Sequence, residues 1–191
     1  MRRLAIRSSG VAPCQPPNDE LYVRRITTSP EGQVVKKTHV VIHHSATKDS
    51  ASVSWGAIRR YHIEVNGWAA IGYHLGCELV GDHYEMMLGR GFDEDGAHCY
   101  QHGMNAHALG VCFVGNYDEV PPPNEMLVFA ASHLRRIMFD LGIPADKAHV
   151  HKHSEFAPKT CPGALFPFSA FLALLNPGPS DFDSKLAAFM R

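Results

Sequence analysis

Two segments of the chain carry side chains that commonly bind transition metals. His153 and Cys161 lie in one short segment with two prolines, which could hold an imidazole and a thiol in fixed positions. His43, at the end of the β-branched run 38–44, could supply a third ligand. Two imidazoles and a thiolate suit Zn²⁺, and three protein ligands with an open fourth position are typical of catalytic zinc. On spacing alone, histidines that merely pack or face solvent are the commoner explanation.

Short apolar runs bounded by turn residues predict the strands that would position these side chains. The run 38–44 predicts a buried strand that ends in a loop, and His43 and His44 should face opposite sides of its sheet. Gly81–Asp82 between two apolar runs predicts a hairpin. The predicted strands cover residues 38–44, 71–79, 84–88, 109–115 and 148–151.

Three segments have helical patterns. The first begins at Ser54 and stops at Asn66–Gly67, and another covers residues 167–175. The longest has Asn124 as its cap and ends at Gly142, and its apolar stripe comprises Leu127, Ala131, Leu134, Met138 and Leu141. Strands and helices mixed in one core predict an α/β (α+β) fold, a single domain whose central mixed β-sheet is flanked by helices.

Composition limits the classes of function. With 191 residues, the chain fits one domain, which we place at residues 37–176 between an N-terminal extension (1–36) and a C-terminal tail (177–191). The 18 Lys and Arg against 19 Asp and Glu give no basic field, so we expect no nucleic-acid partner. No long apolar run or signal peptide is visible, so we expect synthesis in the cytoplasm and no membrane insertion. Five cysteines without a CxxC pair argue against a disulfide framework.

Five ordered blocks across residues 38–175 resemble the N-acetylmuramoyl-L-alanine amidases of the type-2 amidase and peptidoglycan-recognition-protein superfamily, especially the phage T7 lysozyme type. The blocks are VIHHSAT at 41–47, IRRYH at 58–62 with Gly67–Trp68, IGYH at 71–74, Asn105 with GVCFVGN at 110–116, and residues 153–163, which end in KTCPG. The resemblance implies an amidase fold that is similar to peptidoglycan-recognition proteins.

The resemblance also implies roles for individual residues. His43, His153 and Cys161 would bind Zn²⁺, and Tyr73 and Lys159 would be the catalytic side chains. Lys159 would stabilise the oxyanion of a tetrahedral intermediate. Tyr73 would orient water, because an unperturbed phenol titrates near pH ~10 and is a poor base at neutrality.

Other polar residues receive weaker assignments. Asn105 and Glu155 are candidates for binding substrate, and exposed loop positions explain them equally well. His151 is the main rival to His153, but the eight-residue offset to Cys161 favours His153. His44 is expected to pack behind the sheet or to face solvent.

The implied function is hydrolysis of the amide bond between N-acetylmuramic acid and the L-alanine of the stem peptide, by a monomer acting on peptidoglycan in cell lysis or wall turnover. Three alternatives remain open: a non-catalytic peptidoglycan-binding receptor of the same fold, a zinc hydrolase that cuts another amide, and a purely structural zinc site. Retention of Cys161 and Tyr73 argues against the receptor. The site of action would be the bacterial cell wall, or cytoplasmic wall fragments.

Overall fold

A five-stranded mixed β-sheet organises the chain in the computed structural model, which describes residues 37–47 and 54–176. The strands are β1 (His39–His44), β2 (Leu75–Val80), β3 (His83–Leu88), β4 (Ala108–Phe113) and β5 (Val150–Lys152). Their order is β3-β2-β4-β1-β5, with only the β2–β3 pair antiparallel. The predicted mixed-sheet α+β fold is confirmed, whereas the predicted extension and tail lie outside the described residues.

The predicted hairpin is the β2–β3 pair, which turns at Gly81 with a φ of 64°. β2 begins at Leu75, later than the predicted start at residue 71. Of the preceding residues, His74 still donates its N–H to the carbonyl of Gly110 in β4 at 3.0 Å, whereas Gly72 bonds to segments outside the sheet. The N–H of Gly72 donates to His62 Nδ1 at 3.1 Å, and its carbonyl accepts from the N–H of Ala97 at 2.8 Å. This segment therefore joins the sheet to the loops that cover it.

In the part of the chain that the structure describes, four α-helices pack around the sheet: α1 (Trp55–Arg60), α2 (Met104–His107), α3 (Asn124–Leu141) and α4 (Phe168–Leu175). α1 continues through a π-helical turn at Tyr61–Val65 and is capped by Ser54, whose Oγ accepts from the N–H of Ala57 at 3.4 Å. α3 ends at Gly142 as predicted, where φ is 69°. Asn124 is the first helical residue and not the predicted cap, because Pro123 occupies the cap position. None of the described helices has the length and apolar character needed to cross a membrane.

Alternation along the strands divides the core between the two faces of the sheet. On one face, the strand residues Ile42 and Phe113 belong to the same buried cluster as Leu134 of α3 and Phe171 of α4. The predicted α3 stripe is confirmed, although Leu141 is only partly buried. Two smaller clusters of buried apolar side chains, beneath α1 and beneath residues 89–107, cover the other face. His43 points to this second face at the carboxyl end of β1, where ligands commonly bind to sheets with parallel strands.

Candidate active site

Neighbouring parallel strands place two histidines side by side. β1 and β5 pair with the register Val40↔Val150 to Ile42↔Lys152. One further residue along that register sets His43 opposite His153, and their ring centroids are 4.5 Å apart. His153 begins a 3₁₀ turn (His153–Glu155) directly after β5. The distance between the two imidazoles is therefore set by strand pairing.

Cys161 completes a group of three buried side chains. Its Sγ lies 3.7 Å from His43 Nδ1 and accepts a hydrogen bond from the N–H of His44 at 3.4 Å. One ligand atom from each of His43, His153 and Cys161 falls within 4.8 Å of the others. Within residues 37–47 and 54–176, no other set of three His, Cys, Asp or Glu side chains meets this spacing. The peptide bond that follows Cys161 is cis.

An aspartate that the sequence analysis did not identify holds the cysteine loop. Asp118 Oδ2 accepts from the Thr160 hydroxyl and Oδ1 from the N–H of Ala164, each at 2.7 Å. These bonds fasten both sides of the loop that carries Cys161. Asp118 is 42 and 46 residues away from its two partners in the chain, so no local sequence pattern indicates the contact.

Burial fixes the protonation states of the three side chains. It lowers the pKa of His43 well below the usual value and, with the nearby charge of Lys159, lowers that of His153 to about 4. It raises the pKa of the Cys161 thiol to about 11. Both imidazoles thus keep a free lone pair at neutral pH, whereas a thiolate here requires a neighbouring cation. This donor set fits Zn²⁺, which binds neutral imidazoles and deprotonates a coordinating thiol.

Tyr73 and Lys159 line the same cavity as the three residues, and its volume is about 490 Å³. The Tyr73 ring centroid lies 5.2 Å from that of His43. Burial raises the pKa of the Tyr73 phenol well above its ordinary value, so the hydroxyl keeps its proton at neutral pH. Lys159 is exposed at the rim, where its ammonium can meet a bound substrate. One chain therefore brings together all five residues that were predicted as metal ligands or catalytic groups.

A second cavity of about 340 Å³ adjoins the first and shares Trp68, His98, His153 and Lys159 with it. It continues past Tyr100, whose exposed fraction is 87%. The two cavities together form a groove, in which His43 and Cys161 line the first cavity and His153 lines both.

The two predicted substrate-binding residues have different positions. Asn105 lines the second cavity, and its Oδ1 accepts from the N–H groups of His98 and Cys99 at 2.8 Å each. Glu155 lines neither cavity. Its carboxylate accepts from the N–H of Lys152 at 3.0 Å and lies 2.9 Å from His151 Nδ1. The structure therefore brings Asn105 to the groove but not Glu155.

The rival histidines lie outside the group of three. The ring of His151 stacks on His39, with 5.6 Å between the centroids. His44 is buried, and its Nδ1 accepts from the N–H of Tyr117 at 3.2 Å. It also borders the first cavity.

Comparison with known proteins was made by sequence and by structure. The profile of the Amidase_2 family, described as N-acetylmuramoyl-L-alanine amidase, matches residues 33–164. The endolysin of Escherichia phage T7 is 32% identical over 124 residues, which cover 64% of this chain and 78% of the endolysin. The N-acetylmuramoyl-L-alanine amidase LysC of Clostridium intestinale URNW superposes with a TM-score of 0.63 at 26% identity, covering 74% of this chain and 86% of LysC.

A peptidoglycan recognition protein is also similar in structure. It is peptidoglycan recognition protein LE, solved in complex with tracheal cytotoxin, a monomeric diaminopimelic acid-type peptidoglycan. Its TM-score is 0.58 at 26% identity, covering 71% of this chain and 79% of that protein. The fold is thus shared by enzymes and by a protein named for recognition.

Proposed function

The chain belongs to the N-acetylmuramoyl-L-alanine amidase family, and we propose that it is a zinc-dependent amidase that cuts between N-acetylmuramic acid and the L-alanine of the stem peptide. One observation carries this proposal. His43, His153 and Cys161 meet with Tyr73 and Lys159 around a single cavity. All five residues lie within the part of the chain that matches the family.

Residues of the cavity can each meet one requirement of amide hydrolysis. His43, His153 and Cys161 would hold Zn²⁺, which would supply Lewis-acid polarisation of the carbonyl group and a lower pKa for bound water. The Lys159 ammonium stabilises the negative charge that develops on the carbonyl oxygen. Tyr73 keeps its proton, so it donates a hydrogen bond that orients the reacting groups and does not serve as the base.

The biological setting follows from the same relatives. Similarity to a phage endolysin supports a role in cell lysis, with peptidoglycan as the substrate. We propose residues 37–176 as the catalytic domain, since the family match covers residues 33–164 and the packing of α4 on the core adds the residues after 164. A single chain supplies all five side chains, which supports action as a monomer.

The test uses defined muropeptides. The purified protein is stripped of metal, reloaded with measured amounts of Zn²⁺, and incubated with N-acetylmuramoyl-peptides whose products are identified by mass spectrometry. We expect a free stem peptide that begins with L-alanine, only in the reloaded sample. Cys161→Ser should lose both zinc and activity. Cys77→Ala is the control, because Cys77 is a buried cysteine outside the cavity.

Each other outcome contradicts a specific part of the proposal. Bound but intact muropeptide in a fully zinc-loaded sample would indicate a recognition protein. Cleavage within the peptide would indicate another class of amide hydrolase. Full activity in the metal-free sample would exclude zinc dependence.

A further inference from the structure

A second buried histidine contacts the predicted metal ligand His43 from the side opposite Cys161. His98 Nδ1 lies 3.1 Å from His43 Nε2, and both side chains are buried. The other nitrogen of His98, Nε2, lies 3.3 Å from the carbonyl oxygen of Ala108. The Ala108 carbonyl, His98 and His43 thus form a chain of hydrogen bonds that ends at the candidate metal site.

The carbonyl of Ala108 fixes the direction of both hydrogen bonds. A carbonyl oxygen only accepts, so His98 Nε2 carries the proton, and Nδ1 of the neutral ring is an acceptor. His43 Nε2 must then donate to His98 Nδ1. The remaining nitrogen, His43 Nδ1, is left with a lone pair, and this is the atom that faces Cys161 Sγ at 3.7 Å.

The backbone around His98 fixes the position of its ring. The N–H of His98 donates to Asn105 Oδ1, and the buried Lys37 ammonium donates to the carbonyl of Ala106 at 2.8 Å, in the same segment. A Cβ at Gly96 or Gly110 would overlap the His98 ring, so both positions require glycine for this close approach. The ring therefore has little freedom to turn away from His43.

We propose that His98 is a positioning residue that fixes the tautomer of His43, so that Nδ1 and not Nε2 binds the metal. This inference rests on the proposed zinc site but not on the bond that the enzyme cuts. A histidine ligand whose other ring nitrogen is hydrogen-bonded is held in one tautomer and one orientation. His98 acts in this way through His43 and does not itself contact the metal.

The first test reads the tautomer directly in the metal-free wild-type protein. Long-range ¹H–¹⁵N correlation spectra of labelled histidines distinguish a protonated Nε2 from a protonated Nδ1. We expect His43 and His98 both to carry the proton on Nε2. A proton on Nδ1 of His43 would overturn the proposal, and this measurement needs neither a variant nor activity.

The second test measures zinc affinity by competition with a chromophoric chelator. His98→Leu should weaken binding by about 10- to 100-fold, the usual effect of removing a partner of a metal ligand. His98→Asn should recover most of the affinity, because its Oδ1 occupies the position of Nδ1 and accepts from His43. Leu134→Ala, on α3 in the core of the other sheet face, is the control for general loss of stability.

The outcomes separate this inference from the proposed function. Wild-type affinity in His98→Leu, or equal loss in His98→Asn and His98→Leu, would overturn the positioning role. Failure to cut muropeptides, together with the expected tautomer and affinities, would reject the amidase proposal and leave the role of His98 intact.

Discussion

Acid should destabilise the metal-free protein through His74, a histidine buried beneath the candidate site. His74 is fully buried, its Nδ1 accepts from the N–H of Gly110 at 2.9 Å, and its Nε2 lies 3.0 Å from the carbonyl oxygen of Glu94. The bond from Gly110 requires the neutral ring, since an imidazolium has no acceptor, whereas Nε2 donates to the Glu94 carbonyl in either protonation state. Burial, together with the nearby positive charges of Lys37 and Arg90, lowers its pKa from 6.5 to about 4.

The sign and size of the effect follow from proton linkage. Between pH 6.5 and about 4 the unfolded chain binds a proton at His74 that the folded protein does not. The stabilisation is therefore complete above pH 6.5 and is lost as the pH falls toward 4. At about 1.4 kcal/mol per pH unit, His74 alone removes about 3 kcal/mol of the free energy of unfolding over this range.

Urea unfolding of wild-type protein and His74→Asn, in chelator from pH 7.5 to 4, measures this contribution. Asparagine can still accept from the Gly110 N–H but does not titrate, so the stability difference between the two proteins should shrink by about 3 kcal/mol as the pH falls. Leu134→Ala, which removes core packing without a titrating group, should differ from the wild type by a constant amount. A difference for His74→Asn that is independent of pH would refute the reasoning.

Three further predictions concern the site. Lys159→Ala should lower kcat by about 10²- to 10³-fold with zinc content unchanged. Lys147 is also exposed, and Lys147→Ala should leave kcat unaltered. Loss of zinc in Lys159→Ala would contradict the role assigned to Lys159. Asp118→Ala should weaken zinc binding by roughly 10-fold, because the loop that carries Cys161 loses its hydrogen bonds to Asp118. The surface variant Asp140→Ala is the control. Equal zinc affinities of the two variants would show that Asp118 is not needed to position this loop. Gly110→Ala should lower the free energy of unfolding by about 1–3 kcal/mol because its Cβ overlaps the His98 ring, and an unchanged urea midpoint would contradict that packing.

The sheet and the long helix could be predicted because their patterns are local. The α3 stripe repeats at helical spacing, and β1 and β4 are short apolar runs between turn residues. The start of β2 was predicted too early because residues 71–74 are as apolar as a strand. The backbone groups of Gly72 instead bond to the His62 side chain and to Ala97, which a local pattern does not show.

The site could be predicted where the family resemblance covers it. Residue type and spacing made His43, His153 and Cys161 candidates for metal ligands, but the resemblance was needed to choose them and to add Tyr73 and Lys159. No local pattern indicates the partners of these residues. Asp118 and His98 act through hydrogen bonds across 42 and 55 residues of chain, and only the folded structure brings these residues together.

Glu155 was predicted to bind substrate, but it does not line the groove. An acidic residue in the cysteine loop was a reasonable candidate for a substrate contact. In the structure its carboxylate closes the 3₁₀ turn by accepting from the Lys152 N–H. Acidic side chains at such turns serve local hydrogen bonding so often that residue type carries little information about binding.

The pairing of β1 with β5 has a consequence for how the chain can vary. The separation of His43 and His153 follows from the distance between adjacent strands, about 4.8 Å in every β-sheet. Insertions in the loops between the two strands therefore leave this separation unchanged, whatever their length. A deletion of one residue within Val150–Lys152 would move His153 to the other face of the sheet. The loops between these strands can thus vary in length, while the three residues of β5 cannot change in number.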